Sequence, residues 1–169
     1  NFKSKKIIKM ENLNYNAAIT VSQTANKVFE SINSVSKWWT ENLEGDSKHL
    51  NDVFTVHFGK DAFVTHKLIE FVLNEKVVWL VTGCNLPWLK DKSEWTNIKM
   101  SFKISTKDNS TEISFIHIGL VPEVECYDSC VKGWDLYIKG SLLKLITEDQ
   151  GRPQRKSNQL TIETSTHKI

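Results

Sequence analysis

The segment between Pro122 and Gly151 constrains the fold more than any other part of this 169-residue chain. At 100° per residue its apolar side chains fall on one stripe and charged side chains fall on another side, which predicts an amphipathic helix of about 25 residues. Gly151 and Pro153 mark its end. A helix this long needs a broad apolar surface to pack against. The stripe contains Tyr127, Val131, Trp134, Ile138, Ser141, Leu142 and Leu145.

The region before this helix begins with a strand and continues with short helices. Residues 14–21 have the pattern of a first strand, and Thr24 is then placed to cap a helix. Apolar residues at helical spacing predict that helix over 25–32, and a second short helical turn ends near Trp39. The polar stretch 40–49 is predicted as a loop.

Five more strands are predicted in quick succession, separated by Gly, Asn, Asp or Lys, which is typical of an antiparallel meander. The sequence therefore predicts an α+β helix-grip fold, in which a curved antiparallel sheet of about six strands wraps around the long C-terminal helix. We expect one domain over 10–151, a disordered extension over 1–9 and a C-terminal tail over 152–169. The five strands lie near 52–58, 61–72, 75–84, 96–106 and 110–120.

Charge and cysteine content narrow the functional classes. The formal net charge is +2, but basic residues cluster at both ends and the segment between them is acidic, which argues against nucleic-acid binding. Three cysteines do not form a disulfide framework and suit a reducing compartment. No apolar run is long enough to span a membrane. We expect a cytoplasmic protein, either a monomer or a homodimer.

Five segments carry a resemblance to a known family through their order and spacing. The chain resembles the START-like superfamily, also called SRPBCC or polyketide cyclase-like, in the branch related to the C-terminal domain of the activator of heat-shock protein 90 ATPase. That resemblance implies the helix-grip fold over about 14–153. The segments are VSKWW (35–39), FVLNEKVVW (71–79), TEISFIHIGL (111–120), KGW (132–134) and SLLKL (141–145).

The resemblance implies a function built on an apolar cavity between the sheet and the C-terminal helix. The first hypothesis is a protein that binds a small, largely apolar molecule there; the alternatives are a cyclase- or hydrolase-type enzyme using the same cavity, and a chaperone-activator-like interaction domain. A cavity of several hundred cubic ångströms is expected. Its predicted lining is Trp39, Phe54, Phe71, Trp79, Met100, Phe102, Phe115, His117, Trp134, Tyr137 and Ser141.

Few side chains in the sequence suggest chemistry. His117 shares a strand face with apolar residues, so it is either a hydrogen-bonded core residue or a ligand contact or general base, and the first is commoner. His66 is predicted to point outward or to lie at the margin. Cys126 and Cys130 share one side of the helix; with His117 they suggest zinc, but a fourth ligand is missing, and packing thiols are favoured. No catalytic residues, metal or cofactor are predicted.

Overall fold

The computed structural model describes residues 13–156. The predicted extension over 1–9 and the greater part of the predicted tail, residues 157–169, lie outside the described residues. Within the described range the chain forms one sheet and a set of helices on its concave side. No helix among these residues is both long and apolar enough to cross a membrane.

The sheet has seven antiparallel strands in the order β1-β7-β6-β5-β4-β3-β2. Because every chain neighbour from β2 to β7 is also a spatial neighbour, the predicted meander is confirmed, and β1 closes it by pairing with β7. The strands are β1 (Tyr15–Val21), β2 (Leu43–Gly45), β3 (Val53–His57), β4 (Phe63–Val72), β5 (Lys76–Asn85), β6 (Lys99–Lys107) and β7 (Ser110–Ile118).

Two short helices follow β1, as predicted: α1 (Ala25–Asn33) and α2 (Val35–Trp38). Thr24 caps α1, since its side chain accepts a hydrogen bond from the Lys27 N–H at 3.2 Å. Ser34 then separates the two helices. The turn directs Trp38 inward, and the side chain of Trp38 is completely buried.

The C-terminal helix runs without a break through three segments, which are α3 (Tyr127–Trp134), a π-helical segment (Asp135–Leu142) and α4 (Leu143–Glu148). Its predicted apolar stripe faces the sheet, with Trp134, Ile138 and Leu142 at 3% exposure or less. The π-helical segment was not predicted from the sequence. Such segments are rare and are frequent at functional sites.

The predicted loop over 40–49 contains a short edge strand, which corrects that prediction. Residues Leu43 to Gly45 pair with β3, and Leu43 lies opposite Val56. A strand of three residues is too short to show an alternating pattern, so no periodic signal predicts it. Gly45 has a φ of +91°, and a Cβ there would lie 2.2 Å from the Val53 carbonyl oxygen, so only glycine fits this approach.

The orientation of β4 also differs from the prediction. Val64, His66 and Leu68 face the interior and are completely buried, whereas His66 had been predicted to point outward or to lie at the margin. Register shifts between Thr65 and His66, and again past Leu68, interrupt the pairing with β5. A shift of one residue changes which side chains face the core, and this explains the error.

Candidate functional site

Eight of the predicted lining residues meet in the interior between the sheet and the C-terminal helix. Each is at most 4% exposed, and they come from the end of α2, from four strands and from α3. The sheet supplies most of them because alternate residues of each strand point to its concave side. The eight residues are Trp39, Phe54, Trp79, Met100, Phe102, Phe115, His117 and Trp134.

Aromatic rings occupy this interior. The ring of Trp79 lies 4.9 Å from that of Phe102, 5.1 Å from Phe54 and 6.1 Å from Trp39, centroid to centroid. Trp38, which had not been predicted to line the interior, stacks at 6.3 Å on the same ring. The space that was expected to hold a guest is therefore occupied by side chains.

The ring contacts among the described residues do not confirm the expected cavity of several hundred cubic ångströms. The void that borders the interior at His117 measures about 10 Å³, close to the minimum for one water molecule. The physical reason is the number and size of the inward tryptophans, because Trp38, Trp39, Trp79 and Trp134 all project into one hollow.

Three predicted lining residues lie elsewhere. Phe71 is partly buried beneath α1, where its ring meets that of Phe29 at 4.9 Å. Tyr137 and Ser141 belong to the π-helical segment and border a separate groove of about 270 Å³ on the side of the C-terminal helix. Of the three helical residues in the predicted lining, Trp134 therefore lies in the interior, whereas Tyr137 and Ser141 border the groove.

His66 and Trp79 are the polar groups at the centre of the interior. His66 is completely buried, stacked on Phe54 at 4.7 Å and edge-on to Trp39 at 5.4 Å. Its distance to the Trp79 ring is 5.8 Å. Among residues 13–156, the indole Nε1 of Trp79 has no hydrogen-bond partner. The ring nitrogens of His66 make no hydrogen bond of ordinary geometry, although the Phe54 backbone carbonyl lies close enough to act on the His66 pKa.

A signal for the burial of His66 was present in the sequence. Val64 and Leu68 are apolar and share the alternation of His66, while Thr65 and Lys67 are polar and occupy the other face. Alternation over those five residues alone predicts an inward His66. The larger apolar residues later in the strand had outweighed this pattern.

His117 has a different environment from His66. The indole N–H of Trp134 donates to its Nδ1 at 2.9 Å. Because an indole N–H only donates, Nδ1 carries no proton, and a neutral ring therefore holds its proton on Nε2. With its acceptor nitrogen already engaged, His117 is poorly placed to act as a general base. Its Nε2 has no partner within the described chain.

Both interior histidines are neutral near pH 7. Burial lowers the pKa of His117 to about 3. Burial also lowers the pKa of His66 to about 3, the neighbouring His117 adds to this effect, and the Phe54 backbone carbonyl opposes it. An imidazole in an apolar interior resists protonation because the charged form loses its hydration. The two histidines consequently offer a ligand neutral hydrogen-bonding groups and no positive charge.

The chain after the C-terminal helix covers the outer side of Trp39. We call residues 151–156 the strap. Gln154 N–H donates to the Trp39 carbonyl at 2.9 Å, and Gln154 also bridges to Thr40. The Glu41 carboxylate accepts from Arg155 at 2.6 Å and from the Lys156 N–H at 3.0 Å. These bonds hold the strap against the loop that carries Trp39.

The groove beside the helix lies along the same strap. Arg152 N–H donates to Ser141 Oγ at 2.6 Å, which fixes the strap to the π-helical segment. Leu136 in this groove is 65% exposed. The complete lining is Leu136, Tyr137, Gly140, Ser141, Lys144, Arg152, Pro153 and Gln154.

The cysteines lie away from the aromatic interior's centre. Trp95 Nε1 donates to the buried Cys126 Sγ at 3.2 Å, and Cys130 is half-buried one turn further along the helix. Within residues 13–156, no three His, Cys, Asp or Glu side chains are arranged to hold a metal ion. All three cysteines are free thiols in the structure.

The sheet, the two short helices after β1 and the C-terminal helix in the hollow of the sheet together form a helix-grip fold like that of Aha1. The structure is similar to the Aha1 dimer from Colwellia psychrerythraea, with a TM-score of 0.67 and 20% sequence identity over 82% of this chain and 98% of that one.

Two further solved structures share the fold at greater sequence distance. DynU16, a putative protein of the dynemicin biosynthetic locus, has a TM-score of 0.60 and 13% identity over 83% of this chain and 50% of that one. CalU16 from Micromonospora echinospora has a TM-score of 0.55 and 9% identity over 80% of this chain and 75% of that one. No family model matches the sequence, and no curated protein does. These similarities establish the fold, and they leave the function to be argued from the site.

Proposed function

We propose that this protein binds a small molecule in the interior between the sheet and the C-terminal helix, and that the packed aromatic rings move apart to admit it. The observation that carries the proposal is the buried N–H of Trp79, which has no partner within residues 13–156, beside a His66 ring that makes no hydrogen bond of ordinary geometry. A guest that reached this point would meet aromatic surfaces and free hydrogen-bonding groups together.

The energetic cost of these groups supports a role beyond packing. A buried polar group without a partner costs about 1–3 kcal/mol, whereas an apolar side chain of the same shape avoids that cost. His66 and Trp79 are both completely buried, so neither nitrogen is compensated by bulk solvent. Departures from the best core are typical of functional sites. A ligand that pairs these groups recovers the lost interaction.

Entry requires Trp39 to move, because its ring separates His66 from Trp134. The ring lies 5.4 Å from His66 and 5.0 Å from Trp134. Trp39 is the C-cap residue that follows α2, and the strap is hydrogen-bonded to its backbone. Release of the strap would free this loop, and the neighbouring groove of about 270 Å³ would receive the guest first.

Binding is tested with Nile red, a neutral dye that fluoresces in apolar surroundings. The unmodified protein should show saturable fluorescence with a stoichiometry of one, driven by burial of apolar surface. Intrinsic tryptophan emission should fall along the same curve, because four tryptophans line or approach the interior. The measurement is a fluorescence titration at neutral pH.

Two variants distinguish the interior from the groove. Trp39→Ala removes the ring that blocks entry and should strengthen dye binding, whereas Leu136→Glu alters only the groove and should leave the final affinity unchanged. Affinity lost in Leu136→Glu and unaltered in Trp39→Ala would place the site in the groove instead. If neither the native protein nor Trp39→Ala binds the dye saturably, the proposal is refuted and the interaction-domain alternative is favoured.

A further inference from the structure

We propose that the interior site selects a neutral, planar aromatic molecule that carries a hydrogen-bond acceptor such as a ring carbonyl, and that it excludes organic acids. The inference rests on the proposed function and adds the chemical class of the ligand. It follows from three properties of the site, namely its lack of charge, the donor-only character of one buried group and the shape of its walls.

The first property is charge. Among the described residues, the buried polar side chains include Ser, Thr, Asn and His but no Asp, Glu, Lys or Arg. The two buried histidines are neutral near pH 7, since burial holds the pKa of each at about 3. A carboxylate brought into this interior would lose its hydration and gain no opposite charge, which is costly. Anionic ligands are therefore excluded.

The second property is the direction of the hydrogen bonds. The Trp79 indole has one N–H and no acceptor, so a partner for it must bring an acceptor atom. A neutral His66 has one donor and one acceptor, and the choice of tautomer lets it match either kind of ligand atom. The unpaired Trp79 Nε1 therefore requires a ligand with a hydrogen-bond acceptor, and His66 can adopt the tautomer that suits such a ligand.

The third property is the shape of the walls. The Trp39 and Trp79 rings are nearly parallel, with 4° between their planes, and Phe54 stacks on His66 at 12°. Aromatic pairs prefer offset-stacked or edge-to-face arrangements. A flat ring that displaces Trp39 restores such contacts with Trp79, whereas a branched aliphatic group does not.

The experiment uses one tricyclic skeleton in three forms: fluorene, which has no polar group, 9-fluorenone, which adds a carbonyl acceptor, and fluorene-9-carboxylate, which adds a negative charge. Each is titrated into the full chain, and tryptophan quenching gives the dissociation constant. Fluorenone should bind about tenfold more tightly than fluorene, the value of one hydrogen bond of ordinary strength. The carboxylate should bind more weakly than fluorene.

Matched variants then test whether Trp79 is responsible. Trp79→Phe keeps the aromatic ring and removes the N–H, so the ratio of fluorenone to fluorene affinity should fall towards one. Trp38→Phe is the control, because the Trp38 N–H already donates to the Ile32 carbonyl at 3.0 Å and cannot pair with a ligand. That variant should keep the tenfold ratio. If either variant fails to fold, the proposal is tested by the ratio of fluorenone to fluorene affinity in the native protein and in His66→Phe. His66→Phe should also have a lower ratio than the native protein.

The outcomes separate this inference from the proposed function. Equal affinity for all three compounds, or tight binding of the carboxylate, would overturn the ligand class and leave small-molecule binding intact. Absence of binding by all three compounds and by Nile red would overturn both. An unchanged ratio in Trp79→Phe would show that another group recognises the carbonyl.

Discussion

Two neighbouring tryptophans show how the interior divides into two regions. Trp38 is completely buried against α1, and its N–H donates to the Ile32 carbonyl at 3.0 Å. Trp79 is equally buried at the centre of the sheet, but its N–H has no partner among residues 13–156. We call the first the α1 region and the second the Trp79 region.

The difference between these regions distinguishes packing from function. In the α1 region, apolar residues such as Val28 and Ile32 are completely buried and fix the helix on the sheet. In the Trp79 region, the buried nitrogens of His66 and Trp79 lack hydrogen bonds of ordinary geometry. A purely structural core would pair such groups or have apolar side chains in their place. Changes to the first should weaken the fold, whereas changes to the second should affect pH response and recognition.

Acid should produce the largest effect, and it should act through the buried histidines. Burial lowers the pKa of His66 and His117 to about 3 in the folded protein, from 6.5 in the unfolded chain. Below pH 6.5 the unfolded state takes up protons that the folded state does not, so stability is complete above pH 6.5 and is lost as pH falls towards 3. Each histidine should cost about 2 kcal/mol of unfolding free energy by pH 5.

Urea unfolding at pH 7, 6 and 5 measures this loss. His66→Phe provides the control, since it removes one of the two proton uptakes and should halve the slope of stability against pH. An unaltered slope in that variant, or a native protein equally stable at pH 7 and pH 5, would contradict the neutral-histidine description.

Truncation in the α1 region should have the next largest effect. Ile32 is completely buried, and Ile32→Ala should lower the unfolding free energy by about 2–5 kcal/mol because the cavity left behind closes only partly. Ligand binding at saturating dye should persist wherever the variant is folded. Denaturant titration measures the unfolding free energy, and Nile red fluorescence measures ligand binding. A stable Ile32→Ala that no longer binds dye would show that the two regions do not act separately.

The sequence was sufficient to predict the fold for specific physical reasons. The stripe from Tyr127 to Leu145 needs a broad surface, and the alternation in β6 and β7 supplies one, so the sheet and helix followed together. β2 and the inward His66 were missed because a three-residue strand has no period and because register shifts in β4 interrupt alternation.

The state of the interior was harder to predict than its lining. Strand alternation indicates that Trp79 faces inward, and helical spacing indicates the same for Trp39 and Trp134. Neither pattern indicates whether their rings leave a space or meet. That depends on side-chain volumes summed over elements distant in the chain, including the unexpected Trp38. For the same reason the unpaired nitrogens could not be foreseen, because hydrogen-bond partners depend on distances of a few ångströms between elements.

Replacing each of the two tryptophans by phenylalanine should change stability less than the truncation of Ile32 does, and by different amounts in the two regions. Trp79→Phe removes an unpaired N–H, so the loss of ring contacts is offset and stability should change by less than about 1 kcal/mol. Trp38→Phe leaves the Ile32 carbonyl without its donor and should cost about 1–3 kcal/mol. Thermal unfolding of both variants under one condition measures the difference; a larger loss in Trp79→Phe would indicate that its N–H is paired in solution.

Loosening the strap should have the smallest effect on stability and should act mainly on the rate of binding. A Cβ at Gly151 would lie 2.0 Å from the Lys37 carbonyl oxygen, and because that neighbour is backbone, Gly151→Ala must displace the strap. We expect a loss of about 1 kcal/mol or less in unfolding free energy. Nile red should associate faster in stopped-flow measurements, since the Trp39 carbonyl loses its hydrogen bond from the Gln154 N–H. Gly83→Ala is the matched control, as a Cβ there meets nothing within 4 Å. Equal association rates in the two alanine variants would mean that the strap does not control entry, and the ligand would then have to reach Trp79 by another route.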